Sequence, residues 1–224
     1  MRKLDISGFD KSLFLEEPKI IEIVIENKKL FFDYCKYCYD GFYSNNINFY
    51  LFEEGKIIDN DKNIHFISHP FSLDLNTEKN INALYKLLKK KYYYQLNDNL
   101  EMLRIKINEI VTMITLDFDV ELDVADEISE DDLFKILNIQ FKEEEKMSLM
   151  EKFIKYLQAI NELQGIKLFI IPNLFLYFDL EQINCIKKEI SYLGLSIISI
   201  ENGDFSPQNQ NIEKYFLDND LCNY

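Results

Sequence analysis

Two short runs, Ile166 to Ile171 (I-K-L-F-I-I) and Leu195 to Ile200 (L-S-I-I-S-I), constrain the fold more than any other part of this chain. Both are rich in β-branched residues and read as buried strands. Between them Asp179 can cap a helix from Leu180 to Leu193, and Gly194 stops it. Strands joined by a helix cannot close as a hairpin, so a parallel pair with a right-handed crossover is expected. The opening of the chain has a similar logic. Leu4 to Ile6 and Ile20 to Ile25 (I-I-E-I-V-I) read as strands, and Asn27 can cap a helix from Lys28 to about Asp40 that Gly41 ends. Leu30, Phe31, Tyr34 and Cys38 fall on its inner face. Further strands are expected at Ile47 to Phe52, Ile57 to Ile58, Ile64 to Ile67, and in a terminal element from Ile212 to Leu217.

The middle of the chain changes period. From Asn76 to about Thr115 the pattern is helical, and Leu96, Leu100, Leu103, Ile107, Ile110 and Ile114 form a seam like that of a coiled coil. Asn97-Asp98-Asn99 marks a candidate kink. Ser129 opens a capping-box-like S-E-D-D for a short helix to about Leu137, and another helix is expected from about Glu143 to Gln164, with Gly165 as its stop. The expected architecture is an α/β head made of residues 1–72 and 166–224, with an all-helical leg, residues 73–165, inserted between them.

Charge is unevenly placed. The 224-residue chain carries a net charge of −14, which taken as an average argues against nucleic acid and anionic membranes. Yet the basic residues from Lys79 to Lys106 outnumber Asp98 and Glu101, and they crowd into K-L-L-K-K-K-Y-Y-Y-Q, Lys86 to Gln95. Basic residues beside aromatics on a helix can track a phosphate backbone; equally, lysine stems can simply cover apolar surface on a solvated face. The opposite extreme is T-L-D-F-D-V-E-L-D-V-A-D-E-I-S-E-D-D-L, Thr115 to Leu133, and no Lys or Arg occurs between Lys106 and Lys135. From Asp117 to Val124 acid and apolar residues alternate strictly, so an extended segment would line four carboxylates along one side. Neighbouring carboxylates would sit roughly 7 Å apart and repel by about 0.6 kcal/mol in water. A hard divalent ion with oxygen ligands would relieve this, and a solvated acidic junction between helices is the other reading. An EF-hand is excluded: with Asp117 as loop position one, Leu122 stands where Gly is needed and Ile128 where Glu is needed.

Several chemistries find no support. The strand–helix junction I-E-I-V-I-E-N-K-K-L has no glycine, so it cannot build the phosphate cradle of a Walker loop. Cys35 and Cys38 form a C-x-x-C inside a helical pattern and are expected in the helix core, as reduced cytosolic thiols. His65 and His69 are spaced by four, but Pro70 and a β-like context favour structural or surface roles. The start M-R-K-L-D-I-S lacks the apolar core of a secretory signal, and no apolar run is long enough to span a membrane, so a cytoplasmic location is expected. Glu26-Asn27-Lys28 could mimic the E-x-K end of a metal-dependent nuclease, which stays an alternative together with an acidic protein-interaction scaffold.

Three segments in consistent order carry a resemblance: L-F-L-E-E-P at 13–18 with the helix K-L-F-F-D-Y-C-K-Y-C-Y-D; E-L-D-V-A-D-E-I at 121–128 with E-D-D-L-F-K-I-L; and G-I-K-L-F-I-I-P-N at 165–173. The chain resembles the short form of the calcium-binding, ring-forming adaptation protein of type II-A CRISPR systems. That resemblance implies a P-loop-like head without nucleotide machinery, a helical leg, a homotetrameric ring and Ca2+ holding the legs. It also implies binding of double-stranded DNA, above all at free ends, through a lysine-lined hole. Spacer acquisition with the CRISPR integrase proteins and the effector nuclease, without catalysis of its own, completes the picture. By position, Glu121, Asp123, Asp126 and Glu127 would be the calcium ligands. Lys86, Lys89, Lys90 and Lys91 are the DNA-contact candidates from charge clustering. A ring acidic outside and basic inside would reconcile the net charge with DNA binding.

Overall fold

A computed structural model of the chain describes residues 1–42, 47–116, 129–142, 146–205 and 212–217, with only the backbone at Asn97. In chain order the elements begin β1 (Arg2–Ile6), β2 (Leu13–Phe14), β3 (Ile20–Ile25), α1 (Lys28–Tyr39), β4 (Phe49–Glu53) and β5 (Lys56–Ile58). Next come α2 (Asn60–Asn63), β6 (Ile64–Phe66), α3 (Glu78–Lys91), α4 (Tyr93–Leu116), α5 (Glu130–Ile136) and α6 (Leu149–Gln164). The chain finishes with β7 (Leu168–Pro172), α7 (Leu174–Tyr177), α8 (Leu180–Leu193), β8 (Ser196–Glu201) and β9 (Glu213–Leu217). It divides into two compact units, Met1–Asp74 with Glu144–Tyr224, and Leu75–Glu143.

The first unit is mixed α/β. Its main sheet has the order β6-β7-β8-β3-β9, and every neighbouring pair is parallel. A second, antiparallel sheet has the order β2-β1-β4-β5. One face of the parallel sheet contributes Ile21, Ile23, Ile25, Leu168, Ile170, Ile198 and Ile200 to a core shared with the small sheet and with Tyr34, Tyr37 and Cys38 of α1. Alternation sends Ile20, Val24, Phe169 and Ile197 to the opposite face, where they are also buried. A sheet covered on both faces explains why its strands read as near-continuous apolar runs.

Local signals set the helix ends. Asn27 Oδ1 accepts from the backbone N–H of Lys29 and Leu30, both at 3.1 Å. Asp179 and Gln182 form a reciprocal capping box on α8, and Gly194 closes that helix at φ 69°. Ser148 and Glu151 cap α6 in the same way, and Gly165 ends it at φ 71°. Patterning alone groups α6 with the middle helices; the structure places it in the first unit, packed with α8. Helical periodicity shows that Phe153, Leu157 and Ile160 are buried, but not what they are buried against.

The second unit holds α3, α4 and α5. Tyr85 of α3 stacks at a tilt on Phe134 of α5, with ring centroids 5.2 Å apart. Asn76 binds Phe141 reciprocally, its side-chain amide donating to the carbonyl (3.1 Å) and its oxygen accepting from the N–H (2.9 Å). The helical interruption falls at Tyr92 rather than at Asn97-Asp98-Asn99. Asn99 is accommodated within α4, its side chain donating to the Gln95 carbonyl at 2.7 Å. Three successive tyrosines, each a weaker helix former than the lysines before them, occupy the break and its exit. The apolar seam of α4 is buried only at Leu100, while Leu103, Ile110 and Ile114 stand exposed.

Candidate nucleic-acid interface

Helix α3 begins at Thr77, whose hydroxyl accepts from the Asn80 N–H, and ends in Lys89-Lys90-Lys91. Cations in a last turn complement the helix dipole, so part of this clustering serves the helix itself. Lys86, Lys89 and Lys90 share one face through i,i+3 and i,i+4 spacing, whereas Lys91 is turned by about 100° from Lys90. Lys86, Lys90 and Lys91 are exposed. Lys89 differs: it is half-buried, and its Nζ lies 2.9 Å from Asp131 Oδ1. The four lysines therefore belong to one helix end, but one of them already holds a carboxylate.

That carboxylate comes from the start of α5, where Glu130, Asp131 and Asp132 crowd the first turn. Asp132 is held below the usual carboxylate range by hydrogen bonds from the Ser129 hydroxyl and backbone N–H. Asp132 thus serves as a cap and Asp131 as a lysine partner. The expected calcium ligands Glu121, Asp123, Asp126 and Glu127 lie outside the described residues. Among the described residues, no group of three or more His, Cys, Asp or Glu is placed to hold a metal ion.

The other sequence candidates have structural explanations. His65 Nε2 lies 2.9 Å from the Tyr156 hydroxyl, and its ring meets Phe169 edge-on with centroids 5.8 Å apart. His69 is on the surface beside Phe71. Burial pushes the Cys35 thiol up to about 12 and Cys38 well above its ordinary value, so neither is a poised thiolate. At the β3–α1 junction, Asn27 occupies the first helical amides itself, and Glu26 is exposed.

A buried polar row in the parallel sheet is not anticipated by the apolar reading of its strands. Lys214, Glu22 and Ser199 are register partners across β9, β3 and β8. Lys214 Nζ lies 3.3 Å from Glu22 Oε2 and also binds Asp204. The Ser199 hydroxyl donates to Glu201 Oε1, which also accepts from the Phe175 N–H at 3.3 Å. Burial pushes the fully enclosed Glu201 carboxyl up to about 7, partly countered by those hydrogen bonds. The only sequence signal was a glutamate interrupting I-I-E-I-V-I and another closing I-I-S-I-E.

Comparison with known proteins identifies the lineage. A family model described as CRISPR-associated protein (Cas_Csn2) matches residues 42–221. The chain belongs to this family and is a CRISPR-associated adaptation protein. No curated protein matches it significantly. Among solved structures, it is similar to a Pyrococcus furiosus protein assigned as an ABC-transporter ATP-binding protein (13% identity, TM-score 0.42, covering 96% of this chain and 97% of that one). It is also similar to MJ1267, an ATP-binding cassette of an ABC transporter in its ADP conformation (14% identity, TM-score 0.42, covering 90% and 81%). Among the described residues, no helix is long and apolar enough to cross a membrane.

Proposed function

We propose that this protein is a non-catalytic, cytoplasmic binder of double-stranded DNA ends that acts in CRISPR spacer acquisition as a calcium-stabilised homotetrameric ring. Family membership over residues 42–221 is the observation that carries this reading. In it, the parallel-sheet unit is a P-loop-like head that has lost the nucleotide site, consistent with a glycine-free β3–α1 junction whose first amides are taken by Asn27. The helices between the two parts of the head act as the inserted leg. Lys86, Lys90 and Lys91, with Lys89 in reserve behind Asp131, supply the cationic track for the phosphates. Exposed Ile110, Met113 and Ile114 on α4 provide an apolar surface for self-association. Glu121, Asp123, Asp126 and Glu127 supply oxygen ligands of the type Ca2+ prefers. The CRISPR integrase proteins and the effector nuclease are the proposed partners.

Fluorescence anisotropy with a linear duplex, titrated across salt concentrations, tests the DNA assignment. Binding should weaken steeply with salt, and each of Lys86→Gln, Lys90→Gln and Lys91→Gln should reduce the log–log salt slope by about 1. An absence of binding at low salt would leave the acidic scaffold as the better reading.

A further inference from the structure

At the junction of α3 and α4, a notch of about 240 Å3 is lined by Lys89, Lys90, Tyr93, Leu96 and Glu130. It is smaller than the clefts of roughly 300 Å3 and above that take drug-sized ligands, and so suits a single ring system. Its lining combines an aromatic and an aliphatic side chain with two lysines. Around it, Tyr92, Tyr93 and Tyr94 are 42%, 57% and 79% exposed, unlike Tyr85 of the same unit, which is buried against Phe134. Tyr93 and Tyr94 meet edge to face with centroids 5.4 Å apart, and Lys91 Nζ stands 5.8 Å from the Tyr92 centroid. Consecutive exposed aromatics among lysines are the combination by which proteins hold unpaired nucleotides: a ring face stacks on the base and cations follow the backbone.

We propose that this notch receives one unpaired nucleotide at the terminus of a DNA duplex, its base against Tyr93 and Leu96 and its phosphate on Lys90, since Lys89 is held by Asp131. Glu130 sets the orientation, because a carboxylate in the lining repels phosphate and leaves that side to the base. A paired base cannot enter without leaving its stack, so a frayed or overhanging end is selected over a blunt one. This inference rests on the DNA-end reading above and names the kind of end preferred.

The test measures affinity for a blunt duplex and for the same duplex carrying a single-nucleotide adenosine overhang, using the full chain, Tyr93→Ala and Tyr93→Phe. The overhang should bind at least about fivefold more tightly, the low end of a base–aromatic stack. Tyr93→Ala should bring the ratio to about one, and Tyr93→Phe should preserve it. Because Tyr93 is exposed, neither change threatens the fold. Blunt binding with a wild-type ratio near one, or a ratio that survives Tyr93→Ala, overturns this inference alone. Failure to bind either duplex at low salt overturns the DNA-end reading and this inference with it.

Discussion

The parallel sheet and helix α4 are both rich in isoleucine, yet they place it oppositely. In β3, β7 and β8 the isoleucines are enclosed on both faces of the sheet, whereas Ile105, Ile110 and Ile114 of α4 are more than half exposed. The sheet completes its core from within the first unit. On α4, an apolar surface of this kind is stable in water mainly when something covers it. The difference separates a part of the molecule whose apolar residues are covered by its own fold from one whose apolar residues stand exposed among the described residues.

Substitution can break that contrast. Phe153→Ala, at a fully buried position, should cost about 3–5 kcal/mol in chemical denaturation. Met113→Ala on α4, measured at low protein concentration, should stay within about 0.5 kcal/mol. Equal costs would mean that the α4 surface is already covered within one chain.

A pH series probes the polar exception in the sheet. Glu201 titrates at about 7 in the fold against an ordinary value of 4.5, so the folded chain retains a proton that the unfolded chain releases. Stability from this group is complete below about pH 4.5 and is lost as pH rises through 7, by about 3 kcal/mol in all. Glu201→Gln should flatten the fall in melting temperature between pH 5 and pH 8. An unchanged fall would place the titration elsewhere.

The apolar surface of α4 can be tested on its own. Ile110→Asp with Ile114→Asp should leave the circular dichroism of the chain unchanged and shift self-association, followed by sedimentation, to at least about tenfold higher concentration, a loss of roughly 1.4 kcal/mol or more. The smallest expected effect belongs to the Lys89–Asp131 pair, whose side chains are about 35% and 41% exposed. Asp131→Asn should cost less than about 1 kcal/mol of stability while raising duplex affinity, because it releases Lys89. A large loss of stability would instead make the pair a structural tie between α3 and α5.

How much was legible in the sequence follows the same division. Strand β3 and helix α8 lie where hydrophobic period and caps put them, because Asn27, Asp179 and Gly194 act within a few residues of themselves. The two-residue β2 and the four-residue α2 are too short to show a period in the sequence. The break lies at Tyr92 and not at the Asn-Asp-Asn triplet, because turn-forming residues suggest a kink even where a helix absorbs them. The attachment of α6 to α8 was not legible, since periodicity names a buried face but not its partner. For the site, composition located the lysine cluster, but only three-dimensional pairing shows that Lys89 is shared with Asp131. The notch beside Tyr93 depends on two helices meeting an acidic helix start, which no local pattern encodes.

The most direct test of the account is mobility-shift binding to one DNA sequence in linear and covalently closed circular forms, with calcium or with chelator. Calcium-dependent binding to the linear form alone, with the DNA recovered uncut, is the predicted result. Binding that is equal for both forms, or indifferent to chelation, would contradict an end-loaded, calcium-held ring.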